Sequence, residues 1–107
     1  MIERRPWGWF VLLMRTPFAW VKVLRVRDGH RTSLQWHALR REYWMSLASG
    51  GAATVGHQEL RLFALMPVVV ERGRWHRVTG PALIVEVAWG VPDEDDVHRV
   101  DDDYGRA

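Results

Sequence analysis

Cysteine is absent from the 107 residues. That excludes disulfides, thiolate metal centres and cysteine nucleophiles, so any metal would have to use His, carboxylate or amide donors. Long hydrophobic runs are missing too, and no uncharged stretch approaches the ~20 apolar residues that span a bilayer. The apolar segment Trp7–Met14 follows Arg4 and Arg5 in the manner of a secretory leader. Arg15-Thr16-Pro17 then stands where small residues would mark cleavage, so a cytoplasmic protein with no membrane partner is expected. There is no repeat of roughly 20–50 residues, no low-complexity tract and no sustained 3.6-residue apolar period, and confident helices are not expected.

Lysine is nearly absent as well: fourteen of the fifteen basic residues are Arg, which lifts the pI to 9.7 although the net charge is only +2. The distribution says more than the total. Residues 1–92 carry 13 basic and 6 acidic side chains, whereas residues 93–107 carry 2 basic and 7 acidic. An acidic tail folding back on a basic body is expected, and nucleic acid is not expected as a partner. The hydrophobic fraction of 48%, with seven Trp, suits one packed domain over residues 1–107.

What is present reads as β structure throughout. Candidate strands are Trp7–Met14, Ala19–Val26, Thr32–His37, Glu42–Ala48, Gly51–Val55, Gln58–Leu65, Val68–Val70 and Ala82–Trp89. Turn residues separate them, including Asp28-Gly29, Ser49-Gly50-Gly51, Met66-Pro67 and Gly80-Pro81. Many short strands at near-regular spacing indicate a sandwich or barrel, with a tight hairpin expected at Asp28-Gly29.

Alternation along Thr32–His37 puts Gln35 and His37 on one strand face. Glu42 opens the next strand, and His76 follows a later one; an antiparallel barrel can bring all four to one interior point. Such nitrogen and oxygen donors suit Zn, Mn, Fe, Co or Ni without choosing among them. Spacing alone leaves a hydrogen-bonded structural role open for each.

Gly29, then Gln35-x-His37, then Glu42 resembles the first cupin motif with its first His replaced by Gln, and Gly73-x-x-His76 resembles the second. The chain is more specifically similar to the barrel of type II mannose-6-phosphate isomerases, which often forms the C-terminal part of enzymes that also carry a mannose-1-phosphate guanylyltransferase domain. The segments that carry this likeness are RPWGWF at 5–10, VKVLRV at 21–26, SLQWHALRREYW at 33–44, GRWHR at 73–77 and EVAWGVPDEDDVHRVDDDYGR at 86–106.

The resemblance implies an all-β double-stranded β-helix (jelly-roll) barrel with a divalent metal on Gln35, His37, Glu42 and His76. It also implies a sugar-phosphate substrate, with Lys22, Arg40 and Arg77 as candidate phosphate-holding cations and mannose 6-phosphate and fructose 6-phosphate interconverting at the metal. Glu86 is the leading candidate for moving the proton, with Lys22 and Tyr43 as others. Exposed sheet edges make a homodimer the expected assembly.

Departures from the family pattern include Tyr43 within Glu42-Tyr43-Trp44, where His is usual, and Ala38 and Leu39 at positions that are commonly His. They motivate two alternatives: a non-catalytic sugar-phosphate or nucleotide-sugar binding cupin, and a metal cupin with different chemistry.

Overall fold

The computed structural model describes all of residues 1–107 and contains eleven strands and no helix. They are β1 (Ile2–Arg5), β2 (Gly8–Arg15), β3 (Ala19–Val26), β4 (Leu34–Trp36), β5 (Arg40–Ser46), β6 (Ala52–Val55), β7 (Gln58–Arg61), β8 (Pro67–Val70), β9 (His76–Thr79), β10 (Ala82–Gly90) and β11 (His98–Asp101). Every predicted strand is present in whole or part. Three more, β1, β9 and β11, come from short segments; in β1 and β11 charged, exposed side chains hide the apolar alternation that betrays a strand.

The strands form two antiparallel sheets, ordered β1-β2-β3-β10-β5-β8 and β11-β4-β9-β6-β7. Between them lies one apolar cluster that includes Phe10, Leu24, Trp44, Leu62 and Ile84. Burying side chains of this size contributes about 1.5–3 kcal/mol each. The wall alternates as a two-residue period requires: on β5, Arg40, Glu42, Trp44 and Ser46 are buried while Arg41, Tyr43 and Met45 face away.

The turn at Asp28-Gly29 is real, with Gly29 at φ +79° and His30 N–H donating to Arg27 O at 3.0 Å. It is not a hairpin, because β3 and β4 lie in different sheets and the turn carries the chain across the barrel. Gly51 tightens another crossing. At φ +74°, an added Cβ there would lie 2.4 Å from Thr79 O and 2.5 Å from Pro81 O.

The acidic segment lies against the barrel. β11 pairs with β4, Arg31 grips Asp103 at 2.7 and 2.8 Å, and Lys22 Nζ reaches Glu94 at 2.8 Å. No helix is long and apolar enough to cross a membrane.

Candidate metal centre and its cavity

His37 follows β4, Glu42 lies on β5 and His76 opens β9, so the three come from both sheets and meet across the barrel rather than within a hairpin. All are at most 2% exposed. His37 Nε2 lies 3.2 Å from Glu42 Oε2 and 3.1 Å from His76 Nε2, and His76 Nε2 lies 3.8 Å from Glu42 Oε1. Gln35 faces the same cavity from β4, paired in register with His76, and its Oε1 accepts from Ser33 Oγ at 2.9 Å.

Backbone carbonyls fix both imidazoles. His37 Nδ1 donates to Asp96 O at 2.7 Å, and His76 Nδ1 donates to Arg74 O at 2.9 Å. Each Nε2 is thereby left with its lone pair turned into the site, and two such lone pairs facing each other at 3.1 Å have no proton to share. Two donors each about 2.1 Å from an ion, at angles near 90–109°, are themselves roughly 3.0–3.4 Å apart. The 3.1 and 3.2 Å spacings fit that requirement, and the 3.8 Å between His76 Nε2 and Glu42 Oε1 lies just outside it. A divalent metal held by His37, Glu42 and His76, with Gln35 facing the same cavity, is therefore compatible with the residues present.

Electrostatics favour the same state. Burial opposes charge on Glu42, but the neighbouring His37, His76 and Arg40 outweigh it and hold the carboxyl well below the usual range. Of these, Arg40 is the permanent cation. Burial lowers the His76 imidazole to about 4, so it is neutral near pH 7, as a ligand must be.

Arg40 sits inside this group. Its Nε donates to Glu42 Oε2 at 2.8 Å, Nη2 donates to His37 Nε2 at 3.1 Å, and Nη1 donates to Asp93 O at 3.0 Å. Glu86 lies on β10 next to Lys22 and Trp44 in register, and Trp20 Nε1–H donates to its Oε2 at 3.0 Å. Burial, followed by the charge of Glu42, pushes the Glu86 carboxyl up to about 8. Lys22 is buried over the rings of Trp20 and Phe10, with Nζ on Glu94.

Lys22, Arg40, Glu42, His76 and Glu86 line a cavity of about 220 Å³, with His37 packed against His76 behind its wall. Arg77, expected among them, does not line it. It follows inward-facing His76 on β9 and therefore points away, donating to Thr32 O at 3.0 Å and to Asp101 Oδ2 at 3.2 Å. Tyr43 likewise alternates away from the cavity, and Ala38 and Leu39 lie in an exposed turn. A His at 43 would face away from the reacting space by the strand alternation of β5. Sequence reading missed Arg5, Arg99, Arg106 and Asp96. Arg5 and Arg106 were visible only as members of the terminal motifs, and Asp96 only as part of an acidic run.

Two facing antiparallel sheets with His and Glu donors converging between them define a cupin-type barrel. Solved structures share it. Pac13 from Streptomyces, described as a nucleoside dehydratase, superposes with a TM-score of 0.81 over 95% of this chain and 85% of its own at 15% identity. KdgF from Halomonas sp. gives 0.78 at 11% identity, covering 89% of each chain. At such identities the likeness is one of fold.

The family is narrower than the fold. The chain belongs to the mannose-6-phosphate isomerase C-terminal family, whose profile matches residues 2–102. It is 33% identical to a mannose-1-phosphate guanylyltransferase of Klebsiella pneumoniae, covering 95% of this chain and 23% of that protein. It is 31% identical to the alginate biosynthesis protein AlgA of Pseudomonas aeruginosa, covering 95% of this chain and 22% of that one. The chain thus spans less than a quarter of these relatives.

Proposed function

We propose that the barrel is a metal-dependent isomerase that interconverts mannose 6-phosphate and fructose 6-phosphate or a closely related sugar phosphate. The observation that supports this most is the pairing of a ligand-competent His37–Glu42–His76 group with a carboxyl, Glu86, that titrates near neutrality in the same cavity. In the aldose-to-ketose direction a proton leaves C2, one is delivered to C1, and the hydroxyl proton of O2 passes to O1. A single carboxyl titrating near the working pH can act as base in the first transfer and acid in the second. Trp20 holds Glu86 Oε2, which leaves Oε1 for substrate.

Gln35, His37, Glu42 and His76 would hold the metal, which when bound supplies a Lewis acid that stabilises negative charge on the adjacent substrate oxygens. The chain's own contribution is to fix the two imidazole tautomers, wall the cavity with Trp44, orient Glu86 through Trp20 and hold the mobile proton on Glu86. The test is a coupled assay with mannose 6-phosphate on protein whose metal content is measured before and after chelation. Turnover that is lost on chelation and restored by metal is expected. A metal-loaded protein that binds the sugar phosphate without converting it would overturn the proposal and support the second reading, a binding module serving a separate guanylyltransferase. That reading is motivated by relatives more than four times this chain's length that are named for guanylyl transfer.

A further inference from the structure

The motifs at the two ends of the chain, RPWGWF at 5–10 and DDDYGR at 101–106, play no part in the metal centre, yet both reach the same cavity. Arg5 closes β1, Arg106 follows β11, and Arg99 lies on β11 itself; all three line the cavity. They are less buried than Glu42, Glu86 or Arg40, which places them at its open end.

Five cations line this space, and four already have a carboxylate. Arg40 is on Glu42, Lys22 on Glu94, Arg5 on Glu3 at 3.3 Å, and Arg106 grips Asp102 with its Nε at 2.8 Å and Nη2 at 3.0 Å. Arg99 has no hydrogen-bonded or ion-paired partner. Its surroundings disfavour its charge, through partial burial and then through Arg106 and Arg5, with Asp102 acting in the opposite sense. Three guanidiniums with two carboxylates leave one positive charge uncompensated, and a phosphate offers the bidentate acceptors that a guanidinium fork matches. The deeper cations are poorer hosts, because Glu42 and Glu94 are already paired with them and would repel a dianion.

We propose that Arg99, flanked by Arg5 and Arg106, is the clamp for a phosphate monoester at the open end of the cavity, so that a sugar phosphate enters with its carbonyl end toward His37, Glu42 and His76. This rests on the sugar-phosphate reading given above. It assigns substrate orientation to the chain's two ends and removes Arg77 from that role.

The test is calorimetric titration of wild type and Arg99→Met with inorganic phosphate, mannose 6-phosphate and mannose. Arg99 is the position to change, because it has no carboxylate to orphan and its exposed strand position should leave folding intact, which a melting curve checks. In the variant, affinity for inorganic phosphate and mannose 6-phosphate should fall roughly ten- to hundredfold, the loss expected for a charge-assisted hydrogen-bonded pair. Metal content and melting temperature should match wild type. Equal phosphate binding by the two proteins, or wild type that ignores phosphate, would overturn the clamp. A phosphate difference with no isomerisation would keep the clamp and remove the isomerase reading; isomerisation with no phosphate difference would do the reverse.

Discussion

Glu86→Gln should make the metal-free protein more stable at neutral pH. The Glu86 carboxyl titrates near 4.5 when unperturbed and near 8 in the barrel, because burial and the Glu42 charge disfavour its ionised form. A raised folded-state pKa means that its contribution is fully present below about pH 4.5 and is lost as pH rises toward 8. Each pH unit in that window costs about 1.4 kcal/mol, so the deficit reaches about 3 kcal/mol by pH 7 and somewhat more at pH 8. Gln copies the protonated acid, since its oxygen can still accept from Trp20 Nε1 while its other arm donates. The gap between variant and wild type should therefore be near zero at pH 4.5 and grow with pH. Urea unfolding of chelated protein at pH 5, 6, 7 and 8 measures it. A gap that stays constant across pH, or a variant that is less stable at pH 8, would refute the reasoning. If Glu86 also carries the proton in turnover, the stabilised variant should be inactive, the trade-off expected of a functional group held where stability alone would not place it.

Arg40→Met should lower the stability of the chelated protein by about 3–5 kcal/mol, because it strands the buried Glu42 carboxylate. Divalent metal should then raise the melting temperature more in this variant than in wild type, since the ion no longer competes with a guanidinium; an equal rise would show that Arg40 does not occupy the ligands' place. Asp96 caps the Ala38 and Leu39 N–H groups at 3.0 and 2.9 Å. Burial opposes its charge, but these two donors outweigh it and lower its pKa, so its contribution is present above the unfolded value and lost as pH falls through the folded one. Asp96→Asn should cost about 1–2 kcal/mol at pH 7, and the cost should shrink as the carboxylate protonates in acid, as read from acid unfolding curves. Gly51→Ala meets both a left-handed backbone and two carbonyl oxygens inside 2.6 Å, and should cost about 2 kcal/mol or more by urea midpoint.

That Gln35 and His37 share a face and that Glu42 begins an alternating run was legible in sequence, because strand alternation is a local rule, whereas the full set with His76 came from the family resemblance. How the donors meet was not legible. His37 and Glu42 are five residues apart and suggest a hairpin, but β4 and β5 belong to different sheets, and only the pairing of distant strands decides that. Arg77 shows the cost of missing a strand. Had residues 76–79 been read as β9, the same alternation that puts His76 inside would have put Arg77 outside. Tyr43 is the mirror case, a departure that seemed to bear on chemistry until its side of β5 was known. Arg99 was invisible for a different reason, since β11 is exposed along its whole length and an isolated Arg in an acidic run looks like solvated surface.

That acidic run is better understood as part of the site than as a solvated loop. Asp93 O takes Arg40 Nη1, Glu94 takes Lys22, and Asp96 holds His37 Nδ1 with its carbonyl while its carboxylate caps the turn that leads into Arg40. Three residues of this run thus orient His37, a buried cation and a second cation at once. Two of these contacts use backbone carbonyls, so side-chain substitution at 93 leaves them in place, whereas a change in the path of the loop would disturb all of them together. The segment then continues into β11, where Arg99 stands. Electrostatic preorganisation at the bottom of the cavity and anion capture at its open end are therefore coupled through one short stretch of chain. A loop-lengthening insertion between Asp96 and His98 should weaken metal and phosphate binding together, where Arg99→Met weakens phosphate binding alone.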